Sequence, residues 1–293
     1  MAGLASNWIE VLVQDVRYAF RTLGKNRRFA AVAILTLGLG IGATTAVFSL
    51  FDTIYLGKLP FRNPDQLVRL RDSTVAPDGR RSAYNNPART VLEIERDSQM
   101  LSGIAALYEQ DMNVTGTQNA TRAHVVGGSP GWMETMGVQP ATGRTFSKDE
   151  ASAGRNSGVA IISYGFWQTH FGGTQEVLGR TITLNERTFT VVGTMPQGYR
   201  FPYLADVWIP ERLDAADRLR EFAVFGRMKD GVSVGQVREE MVRVSRQIRH
   251  VFPELHEGYS VEVRTLRQNL FEDQQKMSLV LAAVVGFLLA VAC

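Results

Sequence analysis

Gly127-Gly128-Ser129-Pro130-Gly131 matches the G-x-S-x-G elbow on which many hydrolases mount a nucleophilic serine. The chemistry fails at the next residue: the oxyanion hole needs the backbone N–H that follows the serine, and Pro130 has none. The stretch therefore reads as a turn. His124, His170, His250 and His256 are scattered, with no H-E-x-x-H pattern and no cysteine partner, so they read as surface or capping side chains rather than metal ligands. No segment has the P-loop form G-x-x-x-x-G-K-[ST], so any ATP that drives this protein is hydrolysed by another polypeptide. The expectation is a non-catalytic chain with no cofactor and no metal.

The elements that carry these residues are set by two apolar extremes. From Phe29 to Phe51 there is no charged residue, a run that at about 1.5 Å rise per residue exceeds the roughly 30 Å of hydrocarbon in a bilayer. It is also longer than the apolar core of a cleaved signal peptide, about 7 to 15 residues. A second uncharged run opens at Met277 and reads as the start of another spanning helix. A buried core helix would explain one such run but not both. The expected organisation is a cytoplasmic amphipathic helix over 1–28, a spanning helix over 29–56, an outer domain over 57–276 and the beginning of a second span over 277–293.

Acidic and basic residues nearly balance within 57–276, so the net charge of +3 belongs to the amino-terminal segment with Arg17, Arg21, Lys25, Arg27 and Arg28. A basic flank beside a spanning helix tends to stay cytoplasmic, which puts the outer domain across the membrane and argues against nucleic acid as a partner. Lys58, Arg62, Arg69 and Arg71 flank the other side and weaken that asymmetry. Ile9, Leu12, Val16, Ala19, Phe20 and Leu23 recur at helical spacing, with Arg17, Arg21 and Lys25 between them. This helix lies on the inner membrane face or packs on a partner protein. Within the first span, Gly38, Gly42 and Ala46 fall four apart, a spacing that lets a second helix approach closely. Cys293 is the only cysteine, so no disulfide supports the outer domain.

The outer domain reads as α+β. Leu67–Leu70, Ile104–Leu107, Val159–Ile162, Thr181–Leu184, Thr188–Val192, Ala223–Gly226 and Ser260–Val263 have strand character, with Asn185-Glu186 as a hairpin turn. A helix opens at Ser233 with Gln236 completing a capping box, and others are expected over Arg89–Gln99 and Tyr164–Phe171. Ala76–Ser82 and Ser152–Gly158 read as loops.

Several segments taken together resemble one family. They include Leu37-Gly38-Leu39-Gly40-Ile41-Gly42-Ala43, Leu59-Pro60-Phe61, Met136-Gly137-Val138, Gly143-Arg144-Thr145-Phe146, Asp206-Val207-Trp208-Ile209-Pro210 and Gly226-Arg227-Met228. In this order they resemble MacB/FtsX-type ABC permeases, particularly the duplicated orphan branch, over nearly the whole chain. The resemblance implies four spanning helices per unit and a periplasmic MacB-like domain with a porter-like part and an inserted smaller part, placed here at about 132–210. It also implies a cytoplasmic ABC ATPase partner, a dimer of permease units, membrane lipid around the spans and a periplasmic adaptor. On that reading the chain is an N-terminal fragment of an inner-membrane permease, which transmits the partner's ATP cycle to the outer domain for export or extraction. The alternative is an FtsX-like membrane-anchored scaffold that regulates a periplasmic enzyme.

Overall fold

The computed structural model describes residues 61–270 apart from 77, 116–120, 203, 256 and 257, together with positions 14, 28, 30, 31, 38, 40–42 and 45. The chain divides into two compact units, one of Met1–Lys58 with Leu270–Cys293 and the other of Leu59–Asn269. The described residues of the first unit are helical. Among the described residues no helix is long and apolar enough to cross a membrane. The two uncharged runs fall largely or wholly outside the described residues.

The second unit is a mixed α+β fold on a 12-stranded sheet. Its strands are β1 (Leu67–Val75), β2 (Arg81–Tyr84), β3 (Asn86–Pro87), β4 (Leu101–Thr115), β5 (Thr121–Gly128), β6 (Thr142–Gly143), β7 (Val159–Ile162), β8 (Thr181–Leu184), β9 (Arg187–Thr194), β10 (Val207–Pro210), β11 (Glu221–Met228) and β12 (Ser260–Thr265). The helices are α1 (Ala88–Asp97), α2 (Trp132–Met136), α3 (Lys148–Ala153), α4 (Tyr164–Phe171) and α5 (Val234–Val251). The main path runs β12-β1-β11-β4-β5-β10-β7-β9-β6, with β2 added to β1, β3 to β11, and β8 bridging β4 and β9. Pairing is antiparallel except for β5 with β10 and β7 with β9.

Two of the hydrophobic clusters among the described residues are formed on this sheet, and a further buried set that includes Leu67, Leu107, Trp132, Tyr199, Trp208 and Phe225 belongs to neither. In the first, Val68, Leu70, Ile104, Ala106, Val224 and Val263 from the strands meet Val91 and Ile94 of α1 and Val237, Met241, Val244 and Ile248 of α5. The apolar face of α5 recurs at three- and four-residue steps, and its start is fixed by the expected capping box: Ser233 Oγ accepts the Gln236 N–H, and Gln236 Oε1 accepts the Ser233 N–H at 2.9 Å. In the second, Met112 and Val114 of β4 join Val125, Ile162, Ile182, Leu184, Phe189, Val191 and Ile209 beneath Phe166 of α4. The fifteen-residue β4 enters both cores.

Several expectations shift in the structure. The loop expected over Ala76–Ser82 is the turn of a hairpin, since β2 begins at Arg81 and pairs with Val75. Residues 154–157 form a 3-10 turn rather than an open loop. Arg69, counted above as a flanking charge, is buried inside the domain. Its guanidinium donates to the Val224 carbonyl at 2.7 Å and to Asn85 Oδ1 at 2.6 Å and lies over the Phe225 ring, so interior acceptors replace water.

Buried carboxylates tie the first core together. Glu240 of α5 accepts from the Gln99 and Met100 N–H groups at 2.7 and 3.1 Å and from Ser98 Oγ at 3.0 Å, which caps the passage from α1 into β4. Asp72 of β1 accepts from Asn86 Nδ2 at 2.6 Å, Tyr259 Oη at 2.9 Å and Thr90 Oγ1 at 3.3 Å. Burial opposes its charge more strongly than these donors favour it, so its pKa is pushed from 3.8 up to about 7. A folded-state pKa above the unfolded value means that stability falls as pH rises through that interval, by on the order of a few kcal/mol. Asp72→Asn keeps the shape and removes the titration. The detergent-solubilised variant is expected to unfold at higher denaturant than the parent at about pH 8 and to show a flatter stability profile from about pH 5 to pH 8.

Candidate functional site

Beyond Gly128 the chain leaves β5 through Ser129-Pro130-Gly131 and enters α2. Ser129 does not face solvent: it is buried, its Oγ accepts the Ala106 N–H at 3.0 Å, and its own N–H donates to the Ala106 carbonyl at 2.9 Å. That is a turn locked to β4, as the proline implies, and not a nucleophile. The Trp132 indole packs directly on Gly128, where an added Cβ would lie 2.2 Å from its Cδ1. Two left-handed glycines bound α2, Gly131 at φ 73° and Gly137 at φ 69°.

This turn, α2 and the start of the domain enclose a hollow of about 780 Å³, lined by Arg62, Trp132, Met133, Glu134, Phe146 and Lys148 among others. Beside it a cavity of about 420 Å³ shares Arg62, Pro130, Gly131 and Glu134 and adds Glu95, Thr135 and Arg227. Arg227 of β11 is only 6% exposed. Its Nε donates to the Thr135 carbonyl at 2.6 Å, and Nη1 reaches Gln66 Oε1 at 3.3 Å and the Asn63 carbonyl at 3.5 Å. Nη2 has no hydrogen-bond partner among the described residues. Burial and the neighbouring Arg62 cation both push its pKa down. In the segment that leads into α3, Arg144 grips Glu150 through two bonds of 2.7 and 2.8 Å, and this with the Ser147 capping box holds the Glu150 carboxyl down at about 2.

A second polar cavity, also about 420 Å³, lies where the two cores meet, with Tyr108, Gln110, Arg155, Arg187, Glu211 and Arg220 in its wall. Glu211, 3% exposed, accepts from Arg155 Nε at 2.5 Å and from Arg220 Nη1 at 2.6 Å. Both guanidiniums flank the Tyr108 ring, at 6.0 and 5.8 Å from its centroid. Gly127 is required opposite, because a Cβ there would stand 2.8 Å from Glu211 Oε2.

The residues singled out from sequence lie elsewhere. Gly38 and Gly42 are helical, and a Cβ added to either meets nothing within 4 Å. Ala46, Arg17, Arg21 and Lys25 lie outside the described residues. His124 joins a cross-strand cluster with Asp111 at 2.9 Å and Glu109 at 3.3 Å, and His170 stacks on Phe166 with centroids 4.1 Å apart. His250 ends α5, and His256 lies outside the described residues. Sequence reasoning counted Arg62 as a flanking charge and quoted Arg227 within a motif. Neither position, Arg62 in the bend before β1 or Arg227 in β11, carries a local signal that the two approach.

Comparison with known proteins places this architecture. The model of the MacB-like periplasmic core domain matches residues 30–244. The chain belongs to that family. Its fold recurs in the periplasmic region of MacB from Actinobacillus actinomycetemcomitans, at TM-score 0.50 and 12% identity, covering 72% of this chain and 92% of that one. It recurs in a domain from Porphyromonas gingivalis at TM-score 0.53 and 16% identity, covering 70% and 92%. The extracellular domain of the noncanonic ABC-type transporter YknZ from Gram-positive bacteria aligns at TM-score 0.49 and 18% identity, covering 67% and 99%. Among curated proteins none matches closely enough to count as a relative. The chain thus carries a MacB-like periplasmic core domain with a mixed α+β fold.

Glu211 is the common acceptor of two arginines that are each mostly shielded, so neutralising it leaves Arg155 without a carboxylate and Arg220 with Asp217 alone. Glu211→Gln is expected to destabilise the MacB-like domain by about 3 kcal/mol, read as a lower unfolding midpoint. Tyr108→Leu, which removes only the ring between the guanidiniums, should cost about 1 kcal/mol or somewhat more.

Proposed function

We propose that this chain is the permease subunit of a MacB-type ABC system. The run over 29–56 anchors it in the inner membrane with the amino terminus in the cytoplasm, and the outer domain stands in the periplasm. A partner ATPase on another chain moves the membrane helices and with them the outer domain, which exports or extracts a substrate. The observation that carries this reading is the span of the family match, which begins at residue 30 inside the first uncharged run and continues through the folded unit to residue 244.

The supporting features are mechanical. A movement applied to one core reaches the other through the continuous β4 and the Glu211 cluster. Residues 132–210 act as the inserted smaller part, a reading supported by β7, β8, β9 and β10, which supply Ile162, Ile182, Leu184, Phe189, Val191 and Ile209 to the second core. Gly38, Gly42 and Ala46 form the face for helix contact in a dimer, with open space beside the two glycines. Arg17, Arg21 and Lys25 hold the inner membrane face. A periplasmic adaptor engages the outer domain.

The test uses the protein in its native membrane. Purified without added partners, the full-length protein should carry an ATP-hydrolysing subunit. Spin labels at Leu219→Cys on two protomers should change separation when ATP is trapped in a post-hydrolysis state. An ATPase without any change in separation favours the FtsX-like scaffold, and the lack of any associated ATPase overturns the permease reading.

A further inference from the structure

We propose that Arg62 and Arg227 form a binding site for a phosphate group, in the cavity between α2 and the start of the MacB-like domain. The site stands on its own geometry and does not depend on the permease reading.

Arg227 is a buried cation without a counter-charge. Among the described residues no carboxylate pairs with it, its hydrogen bonds go to two carbonyls and one amide, and Nη2 has no partner. Buried charges are ordinarily paired, because a guanidinium withdrawn from water without an anion loses several kcal/mol of solvation. The structure instead brings a second cation beside it. Gly137 permits this: a Cβ there would stand 2.7 Å from Arg62 Cβ and 3.1 Å from Arg227 Nη2, so the bare glycine that ends α2 makes room for both arginines. Glu95 and Glu134 line the same cavity, but both are exposed and neither pairs with either arginine. An incoming oxyanion supplies the missing acceptor and neutralises the two guanidiniums together.

The charge and size favour phosphate over a single carboxylate. A phosphate monoester carries up to two negative charges at neutral pH and can accept from the one free donor of Arg227, Nη2, while pairing with the Arg62 guanidinium. The cavity of about 420 Å³ also exceeds a bare ion. The neighbouring hollow, which shares Arg62, adds Lys148 and the apolar Trp132, Met133 and Phe146 for whatever the phosphate is attached to. Two sources present this group: a free phosphate ester, or a lipid headgroup, to which Arg62 is near in sequence because the uncharged run ends at Phe51.

The test is the thermal unfolding midpoint of the full chain in micelles, followed by tryptophan fluorescence at constant ionic strength. The probes are inorganic phosphate, glycerol 3-phosphate and phosphatidic acid in mixed micelles, with chloride as reference. The midpoint should rise saturably. Arg62→Gln, an exposed change that leaves the fold intact, should weaken apparent affinity roughly tenfold, and Arg227→Gln should abolish the response. A rise with the soluble probes assigns a free ester, and a rise confined to phosphatidic acid assigns a lipid headgroup. A wild-type chain indifferent to all three probes, or an Arg62→Gln chain that responds as strongly as wild type, overturns the proposal.

Discussion

The structure of the folded unit depends on one strand that enters both of the cores described. β4 is fifteen residues long: its first half packs with α1 and α5, while its far end pairs with β8 and contributes Met112 and Val114 to the core that holds Phe166 of α4. A strand of that length on its own would be free to twist at its middle. Its middle is where Tyr108 sits between Arg155 and Arg220, with Glu211 accepting from both. Arg155 comes from the turn after α3, and Glu211 and Arg220 from the connection between β10 and β11, so one buried carboxylate ties these two segments together beside the Tyr108 ring of β4. A hydrophobic contact would bury as much surface, but it would not fix the relative orientation of the parts so narrowly.

Much of the architecture was legible because local rules and tertiary packing agree. Val159–Ile162 and Thr181–Leu184 are short β-branched runs between turn residues, and the structure gives them those same bounds. Asn185 and Glu186 both take positive φ, at 44° and 68°, as a two-residue hairpin with strand twist demands. Ser233 and Gln236 announce α5 through side chains that bond locally, so no distant partner is needed to read them. α3 carries the same device in Ser147 and Glu150, but its six residues are too few for helical periodicity to show.

What was not legible depended on distance. β5 mixes charged residues with two glycines, and only its neighbours β4 and β10 make it a strand. β10 is a four-residue run closed by a proline, and it pairs in parallel with β5 from some 80 residues away. The arginine cavity is harder still. Arg62, Gly137 and Arg227 come from three separate parts of the chain, and periodicity describes only one element at a time. Nothing in the strand Glu221–Met228 reveals that its arginine is buried without a carboxylate. The sequence signal was present only as a family motif, which marks a position without saying what surrounds it.

On the proposed topology, this folded unit stands across the membrane from the amino terminus. The most direct measurement is cysteine accessibility in spheroplasts, with Cys293→Ser as the background. Leu219→Cys, at a position 94% exposed, should react with a membrane-impermeant maleimide in intact spheroplasts, whereas Ser6→Cys should react only after lysis. The reverse pattern, or equal reactivity of both sites before lysis, would contradict the account.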